Sequence, residues 1–273
     1  MTLKFQEMLK RNILSPHHKQ MIKSALPLKD CFGINHFWYY KIDNSGNYSY
    51  IGTNEAWNEF CFDTPMLKHF TCLRHPACLP RGISLMKAGA KDEYKKILDF
   101  AWEKFAVNFN INITNQTNDG VEAFGFATNF NDPYADERLL NKLSYLREFM
   151  RFFKEQNAKT LHFVNENKVH LPTVFGHQFY EPTNALFIPF DREKLFRHMG
   201  LGAVFSLTPR EKDILKFIAY GYPAPYIAKQ LNLSNKTIEN YLATIKCKLS
   251  CNSKTQLIQL SQQISASGFF DEI

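Results

Sequence analysis

The segment from Leu207 to Ile258 constrains the fold more than any other part of the sequence. It opens with the signals of a helix start: Thr208 in the capping position, Pro209 as the first helical residue and Glu211 three residues after the cap. Apolar residues then follow at the spacing of one helical stripe: Ile214, Leu215, Ile218 and Ala219. The segment therefore begins with a capped amphipathic helix.

Two further helices are predicted behind the first. Gly221 and Pro223 end the first helix, and a second begins near Pro225. Asn232 makes the turn, and Ser234 caps a third helix. Apolar residues of this third helix recur at 4-3-4 spacing: Ile238, Leu242, Ile245 and Leu249. A helix, a tight turn and a capped helix with a polar outer face indicate a helix-turn-helix.

The same residues resemble the DNA-binding domain of the LuxR/FixJ class of bacterial transcription regulators. The resemblance rests on LTPRE, Gly221, the pair Ile227-Ala228, LNLSNKTIENY, and Ile245-x-x-Lys248-Leu249, in that order. It covers about the last quarter of the chain and implies a four-helix domain. A helical bundle with similar apolar spacing is the alternative, but periodicity alone would not also place the caps and the LTPRE start.

The resemblance also implies which residues contact double-stranded DNA. The helix-turn-helix would span Ala224 to Ala243, the third helix (about Ser234 to Leu249) would enter the major groove, and the last helix (about Lys254 to Ile264) would support a homodimer. Thr237 corresponds to a phosphate contact, Glu239, Asn240 and Ala243 to positions that face base edges, and Lys246 and Lys248 to backbone contacts. The predicted DNA-binding residues are Ser234, Lys236, Thr237, Glu239, Asn240, Tyr241, Ala243, Thr244, Lys246 and Lys248.

Charge supports an anionic partner, although four positions depart from the family's pattern. The chain has a formal charge of +7 and a pI of about 9.0, and residues 207–260 contain eight lysine or arginine residues against three acidic ones. Glu239 and Ala243 stand where many members of the family have lysine, which weakens the salt-dependent part of DNA binding. Tyr226 replaces a usual acidic residue, and Tyr241 a frequent histidine.

The length of 273 residues fits two domains. We predict a sensory or regulatory domain at residues 1–157, an extension and linker at 158–204 and the DNA-binding domain at 205–273. The N-terminal pattern contains hairpins at 32–53 and 109–128 and a long helix at 136–155, and the extension contains a hairpin formed by 161–165 and 168–171. The predicted fold class is therefore α+β: an N-terminal α/β sensor module with an antiparallel sheet flanked by helices, and a C-terminal four-helix LuxR-type helix-turn-helix domain. By analogy alone, the sensor module is of the PAS, GAF or autoinducer-binding kind.

Aromatic residues in the N-terminal module suggest a ligand pocket. Strand alternation places Trp38 and Tyr40 on one face, Tyr48 and Tyr50 on one face of the partner strand, and Trp57 on the helix that follows. Ordinary core packing is the alternative for each of them. Family members that bind acyl-homoserine lactones have Trp-x-x-x-Tyr and a downstream Asp-Pro. Here Cys61 follows Trp57 at that spacing, which argues against a lactone.

A histidine and cysteine cluster is a weak candidate for a metal site. His69, Cys72, His75 and Cys78 are suitable zinc ligands, but their three-residue spacing lacks the two separated pairs of a structural zinc finger. A redox-sensing cysteine or a plain loop is the alternative. No phosphate-binding loop, zinc-protease motif or nucleophile elbow occurs in the chain. We therefore predict no cofactor and no catalytic residues.

The sequence thus predicts a sequence-specific DNA-binding transcription regulator, controlled by a signal that the N-terminal module senses. Double-stranded DNA, a second copy of the chain and a small-molecule signal are its expected partners. No apolar stretch approaches the roughly 20 residues that span a bilayer, so a cytoplasmic location without membrane contact is expected. Two alternatives remain: an N-terminal module that serves only in dimerisation or protein interaction, and a small-molecule enzyme.

Overall fold

The computed structural model describes residues 2–63, 69–79, 81–129, 132–182 and 191–270. They form two compact units, with the boundary between residues 186 and 187. The N-terminal unit combines helices with an antiparallel sheet, and the described part of the C-terminal unit is helical. The predicted α+β class is confirmed. None of the helices in these ranges combines the length and apolarity that a bilayer-spanning helix needs.

The N-terminal unit is built on a six-stranded sheet. The strands are β1 (Ile34–Asp43), β2 (Asn47–Gly52), β3 (Gly82–Leu85), β4 (Asn108–Thr117), β5 (Gly120–Thr128) and β6 (Val169–His170). Their order is β3-β4-β5-β1-β2-β6, and every neighbouring pair is antiparallel. Both predicted N-terminal hairpins are present. At the β1–β2 turn, Oδ1 of Asp43 accepts hydrogen bonds from the backbone N–H groups of Ser45 and Asn47, and Gly46 takes a φ of 82°.

Helices cover both faces of this sheet. They are α1 (Thr2–Ile13), α2 (Pro16–Phe32), α3 (Glu55–Asp63), α4 (Asp92–Phe105), α5 (Ala135–Leu140), α6 (Leu143–Gln156), α7 (Ala158–Glu166) and α8 (Leu171–Phe175). Residues of α1, α3 and α4 share one core with Trp38 and Tyr40, whereas residues of α2, α6 and α7 share the other with Phe37 and Tyr39. Successive side chains of β1 point to opposite faces of the sheet, so this strand contributes residues to two separate cores.

Two of the predicted N-terminal elements are wrong. The single helix at 136–155 is two helices, because the chain turns at Asn141 and Lys142 while the apolar pattern continues across the break. The predicted hairpin of the extension does not form. Leu161 and Val164 are buried three residues apart on one side of α7, and the short strand β6 pairs with β2 instead. In so short a segment, the alternating apolar pattern of a strand cannot be distinguished from the three-to-four-residue apolar spacing of a helix.

The C-terminal unit consists of α9 (Arg192–His198), α10 (Pro209–Ala219), α11 (Ala224–Gln230), α12 (Asn235–Lys248) and α13 (Lys254–Ala266). The last four agree with the predicted four helices to within two residues. Phe196 of α9 lies in the same core as the predicted apolar stripes. The segment predicted as an extension, 158–204, is therefore divided: α7, β6 and α8 belong to the N-terminal unit and α9 to the C-terminal one.

Candidate nucleic-acid interface and ligand cavity

The first helix of the C-terminal motif is fixed by a reciprocal cap. Oγ1 of Thr208 accepts a hydrogen bond from the backbone N–H of Glu211 (3.3 Å), and Oε2 of Glu211 accepts one from the backbone N–H of Thr208 (2.7 Å). Two backbone N–H groups at the start of α10 thereby gain hydrogen-bond partners, and Pro209 has no backbone N–H that would need one. The capping box predicted from LTPRE is confirmed.

The carboxylate of this cap also binds Lys248 at the last turn of α12. Nζ of Lys248 lies 2.7 Å from Oε2 of Glu211 and 3.4 Å from the carbonyl oxygen of Ser206. Glu211 is buried, which opposes its ionisation, but the hydrogen bonds from Lys248 and Thr208 outweigh burial and hold its pKa below the ordinary value. A charged pair thus joins α10 to α12 inside the unit.

The turn between α11 and α12 is held from three sides. Asn232 adopts a φ of 53°, a conformation that asparagine tolerates better than most residues. Oγ of Ser234 accepts a hydrogen bond from the backbone N–H of Thr237 (3.0 Å), as the sequence predicted for the cap of α12. Nη2 of Arg210 donates to the carbonyl oxygen of Leu231 (2.6 Å), so α10 supports the turn. Ile227 and Ile238 are buried across the helix pair.

All ten predicted DNA-binding residues lie on α12 or at its cap. The exposed ones are Ser234, Lys236, Glu239, Asn240, Ala243 and Thr244, and the half-buried ones are Thr237, Tyr241, Lys246 and Lys248. Lys236 approaches Glu239 to 3.8 Å, which partly offsets both charges on this face. Ile238 and Ile245 are fully buried on the opposite side. The exposed face can therefore be altered without opening the core, while its contacts with DNA stay a prediction.

In the N-terminal unit, the five predicted pocket residues line one cavity. Trp38, Tyr40, Tyr48, Tyr50 and Trp57 converge on a volume of ≈ 40 Å³ between the sheet and α3. The other described residues that line it are His36, Phe70, Cys72, Leu73, Met86 and Phe109. None of the described lining residues carries a formal charge at neutral pH. Because a water molecule needs about 10–15 Å³ by this measure, the cavity has room for roughly three.

The ring of Trp38 is held flat against the sheet at the back of the cavity. Trp38 lies opposite Gly125 in the β1–β5 register, and a Cβ at Gly125 would stand 1.7 Å from Cε2 of the indole. Glycine is therefore required at this position because the ring occupies the space of a side chain. His36 stacks on the indole at 5.1 Å between ring centroids, and Phe109 packs edge-on against it.

Burial keeps the polar groups around the cavity neutral. Tyr50 donates its hydroxyl hydrogen to Oδ1 of Asn58 (2.6 Å), and the Tyr40 hydroxyl accepts a hydrogen bond from Nδ2 of Asn112 (3.1 Å). Burial raises the pKa of Tyr40 above its usual value and that of the Cys72 thiol to about 12. The surroundings thus favour an uncharged, mainly apolar occupant.

His36, whose imidazole ring also lines the cavity, was not among the residues predicted from the sequence. Its Nδ1 accepts a hydrogen bond from the backbone N–H of Asn54 (3.1 Å) and lies 3.4 Å from Oγ1 of Thr53, whereas its Nε2 has no partner among the described residues. Burial lowers the pKa of His36 to about 3. The position had a signal in the sequence, because His36 precedes Trp38 by two residues and so shares its face of the strand.

The histidine and cysteine cluster does not assemble into a ligand set. Within the described residues, no three side chains of the metal-binding types come together. Cys72 lines the cavity. Nδ1 of His75 accepts a hydrogen bond from the backbone N–H of Ala77 (3.2 Å). Sγ of Cys78 lies 3.6 Å from the carbonyl oxygen of Tyr180. These side chains serve local packing and turn formation.

Comparison with protein families assigns the C-terminal motif. Residues 205–261 match the family model described as "Bacterial regulatory proteins, luxR family". These residues form a luxR-family domain. The match extends from just before the capping box on α10 through α12 and into α13, so it includes the helix-turn-helix and the Glu211–Lys248 pair.

Individual relatives are similar over a short part of the chain. The chain is 42% identical to the transcriptional activator protein ExaE of Pseudomonas putida over 62 residues, which are 23% of this chain and 29% of ExaE. It is 33% identical over 60 residues to the transcriptional regulatory protein FixJ of Bradyrhizobium diazoefficiens, covering 22% of this chain and 29% of FixJ. The nitrate/nitrite response regulator protein NarL of Escherichia coli K12 is 38% identical over 53 residues, 19% of this chain and 24% of NarL. The chain thus spans less than a third of each relative's length.

Two solved structures align over nearly the whole chain at low similarity. A structure of SdiA in complex with octanoyl-rac-glycerol has a TM-score of 0.37 and 14% sequence identity, and the alignment covers 95% of this chain and 93% of that one. A crystal structure of Escherichia coli SdiA has a TM-score of 0.33 at 14% identity, with 97% and 96% covered.

Proposed function

We propose that the protein is a sequence-specific DNA-binding transcription regulator that acts as a homodimer in the cytoplasm and answers to a small neutral molecule bound in its N-terminal unit. The luxR-family domain at residues 205–261 is the observation that carries the proposal. Relatives that match about a fifth of the chain are named as a transcriptional activator and a transcriptional regulatory protein. Our proposal includes no catalytic residue and no cofactor.

The geometry of α12 supports its use as the recognition helix. In a helix-turn-helix the second helix lies in the major groove and the first crosses the phosphate backbone. Asn240 is exposed on α12 and could form two hydrogen bonds with an adenine, with Nδ2 as the donor and Oδ1 as the acceptor, while Glu239 could accept a hydrogen bond from a cytosine. Lys236 and Lys246 would neutralise phosphates on either side of these residues.

Two copies of the domain would give the protein its specificity. A dimer places two recognition helices on DNA about 34 Å apart, one turn of the double helix, and so reads two half-sites of related sequence. We assign α13 to the dimer contact, as the family resemblance implies. This arrangement predicts that the preferred DNA contains a sequence with two-fold symmetry.

The cavity supports a sensory role for the N-terminal unit. An apolar site lined by aromatic side chains with a few placed polar groups is typical of small-molecule binding. A ligand that binds one arrangement of the dimer more tightly would shift the population toward it, and with it the spacing of the two recognition helices. The N-terminal unit would then control DNA binding without touching DNA.

Selection of DNA by the full-length protein tests the DNA-binding part of this proposal. The protein is incubated with a pool of random duplexes, and the retained molecules are sequenced over several rounds. We expect enrichment of one sequence with two-fold symmetry and half-sites about ten base pairs apart, centre to centre. A matched protein with Asn240→Ala serves as the control. Retention without enrichment of any sequence would contradict a sequence-specific regulator.

A further inference from the structure

We propose that the N-terminal cavity selects a neutral, mainly apolar molecule with a hydrogen-bond acceptor, such as a ketone, ester or ether oxygen, and that Nε2–H of His36 donates to it. This inference rests on the proposed sensory function of the cavity and adds the chemical class of its ligand. His36 is only 1% exposed, lines the cavity and has an Nε2 atom without a partner among the described residues.

The tautomer of His36 follows from its other ring nitrogen. The backbone N–H of Asn54 can only donate, so Nδ1, which lies 3.1 Å from it, must be unprotonated and accept. The hydroxyl of Thr53 lies 3.4 Å from the same nitrogen and can also donate to it, so this contact is compatible with an unprotonated Nδ1. A neutral imidazole with a bare Nδ1 has its hydrogen on Nε2. The atom without a partner is therefore a donor.

A buried donor without a partner is costly, which gives an acceptor-bearing ligand its advantage. Leaving a buried N–H unsatisfied costs free energy that a hydrogen bond from a ligand recovers on binding. The same site rejects a molecule of equal shape that lacks the acceptor, because the donor then stays unpaired. His36 would thus act as the specificity-determining residue of an otherwise apolar site.

The lining excludes a charged ligand. The described side chains around the cavity include no lysine, arginine, aspartate or glutamate. A carboxylate could accept from His36, but its buried charge would have no counter-ion here. A cation would have neither a counter-ion nor an acceptor at Nε2. The favoured ligand is therefore neutral at physiological pH.

A ligand with an acceptor oxygen competes with water for the same position. The described lining is mainly aromatic and aliphatic. A water at Nε2 of His36 makes no favourable use of this apolar surface, whereas a ligand oxygen can accept the same hydrogen bond while the body of the ligand buries apolar surface.

The test compares two probes of one shape on the full-length protein: cyclohexanone, and methylenecyclohexane, in which a CH₂ group replaces the oxygen. Both probes are larger than the ≈ 40 Å³ cavity, so each must displace lining side chains. Because the probes have the same shape, the free-energy cost of this displacement is the same for both and cancels when their affinities are compared. Affinities are measured by calorimetry for the wild-type protein and for His36→Asn, which keeps an acceptor for the Asn54 N–H. His162→Asn, at an exposed histidine of α7, is the matched control.

We expect the wild-type protein and His162→Asn to bind the ketone about tenfold more tightly than the alkene, and His36→Asn to lose this preference. Equal affinity of both probes for the wild-type protein, with both bound, would overturn the role of His36 and leave the cavity's sensory function standing. Failure of both probes to bind would overturn the cavity as a ligand site, and the inference with it.

A spectroscopic measurement on the wild-type protein covers the case in which His36→Asn does not fold. With ¹⁵N-labelled histidine, the ring-nitrogen correlations report the tautomer directly. We expect a His36 signal with hydrogen on Nε2 that shifts when cyclohexanone is added and not when methylenecyclohexane is added. Hydrogen on Nδ1, or a signal unchanged by the bound ketone, would overturn the inference.

Discussion

Nζ of Lys248 lies 2.7 Å from Oε2 of Glu211, which joins the last turn of α12 to the first turn of α10. The family resemblance implied a DNA-backbone contact for Lys248, but its ammonium has two acceptors within its own unit. We now propose that Lys248 orients the recognition helix from the inside. The other predicted lysines of α12 stay proposed phosphate contacts.

Replacement of Lys248 by methionine should destabilise the C-terminal unit. The variant keeps an apolar stem of similar length but leaves the buried Glu211 carboxylate without its cation. We expect the free energy of unfolding to fall by about 1–3 kcal/mol, measured by urea denaturation of the full chain. Lys246→Met, two residues earlier on the same helix, is the control and should change stability by less than about 0.5 kcal/mol. Equal losses in both variants would contradict the role assigned to Lys248.

The buried His36 should make stability depend on pH. Its pKa is 6.5 when unfolded and about 3 in the fold, so between these values only the unfolded state binds the proton. The free energy of unfolding should therefore decrease as pH falls from 6.5 towards 3, by up to about 1.4 kcal/mol per pH unit from this residue. Cys72 and Tyr40 in the same cavity stay neutral throughout, because burial raises their pKa values.

The measurement for His36 is a difference between two proteins. Subtracting the pH dependence of unfolding of His36→Asn from that of the wild-type protein cancels the other titrating groups. The stability advantage of the wild-type protein over His36→Asn should shrink below pH 6.5. The difference between the wild-type protein and His162→Asn should not contain this His36 contribution, because both proteins keep His36. Parallel curves for the wild-type protein and His36→Asn would show that His36 is not buried in its neutral form.

Gly125→Ala should displace the indole of Trp38 from the back of the cavity. The new methyl group would stand 1.7 Å, 1.9 Å and 2.3 Å from three atoms of the indole ring, Cε2, Cζ2 and Nε1. We expect a loss of about 1–3 kcal/mol in stability. In the background of Trp38→Leu, which removes those ring atoms, the same alanine should cost much less. Additive losses in the double variant would contradict the contact.

Lysines on the exposed side of α12 should contribute to DNA affinity without specificity. Lys236→Ala and Lys246→Ala should each weaken binding to the selected and to a shuffled duplex by similar factors. The slope of log affinity against log salt should become less steep by about 1 for each lysine removed. Fluorescence anisotropy at several salt concentrations provides both quantities. An unchanged slope would place these lysines away from the phosphates.

The C-terminal unit could be predicted closely because its signals are local. Thr208 and Glu211 specify the start of α10 by hydrogen bonds within three residues, and Pro209 favours it through its fixed φ. Ser234 caps α12 in the same local way. The Glu211–Lys248 pair was missed because it joins residues 37 positions apart. Helix periodicity showed that Ile238 and Ile245 face inward, but it could not show that a lysine of the same helix turns towards a buried acid.

The N-terminal unit was predicted in part. Alternation placed Trp38 and Tyr40 on one face of their strand and Tyr48 and Tyr50 on one face of the partner strand, and all four line the cavity with Trp57. The unpaired nitrogen of His36 could not be predicted, since it depends on the backbone of Asn54, which reaches the histidine only after β1 and β2 pair. The path of residues 158–166 also depends on tertiary packing, because α7 gains its buried side from the core beneath it.

The most direct measurement of the central claim is the effect of Asn240→Ala on binding to two DNAs, the selected duplex and a shuffled one of equal composition. Asn240 is exposed on α12, so its removal leaves the core intact. Fluorescence anisotropy with the full-length protein should show a loss of about 1–3 kcal/mol on the selected duplex and almost none on the shuffled one. Equal weakening on both duplexes, or no change on either, would contradict the proposal that α12 reads the DNA sequence.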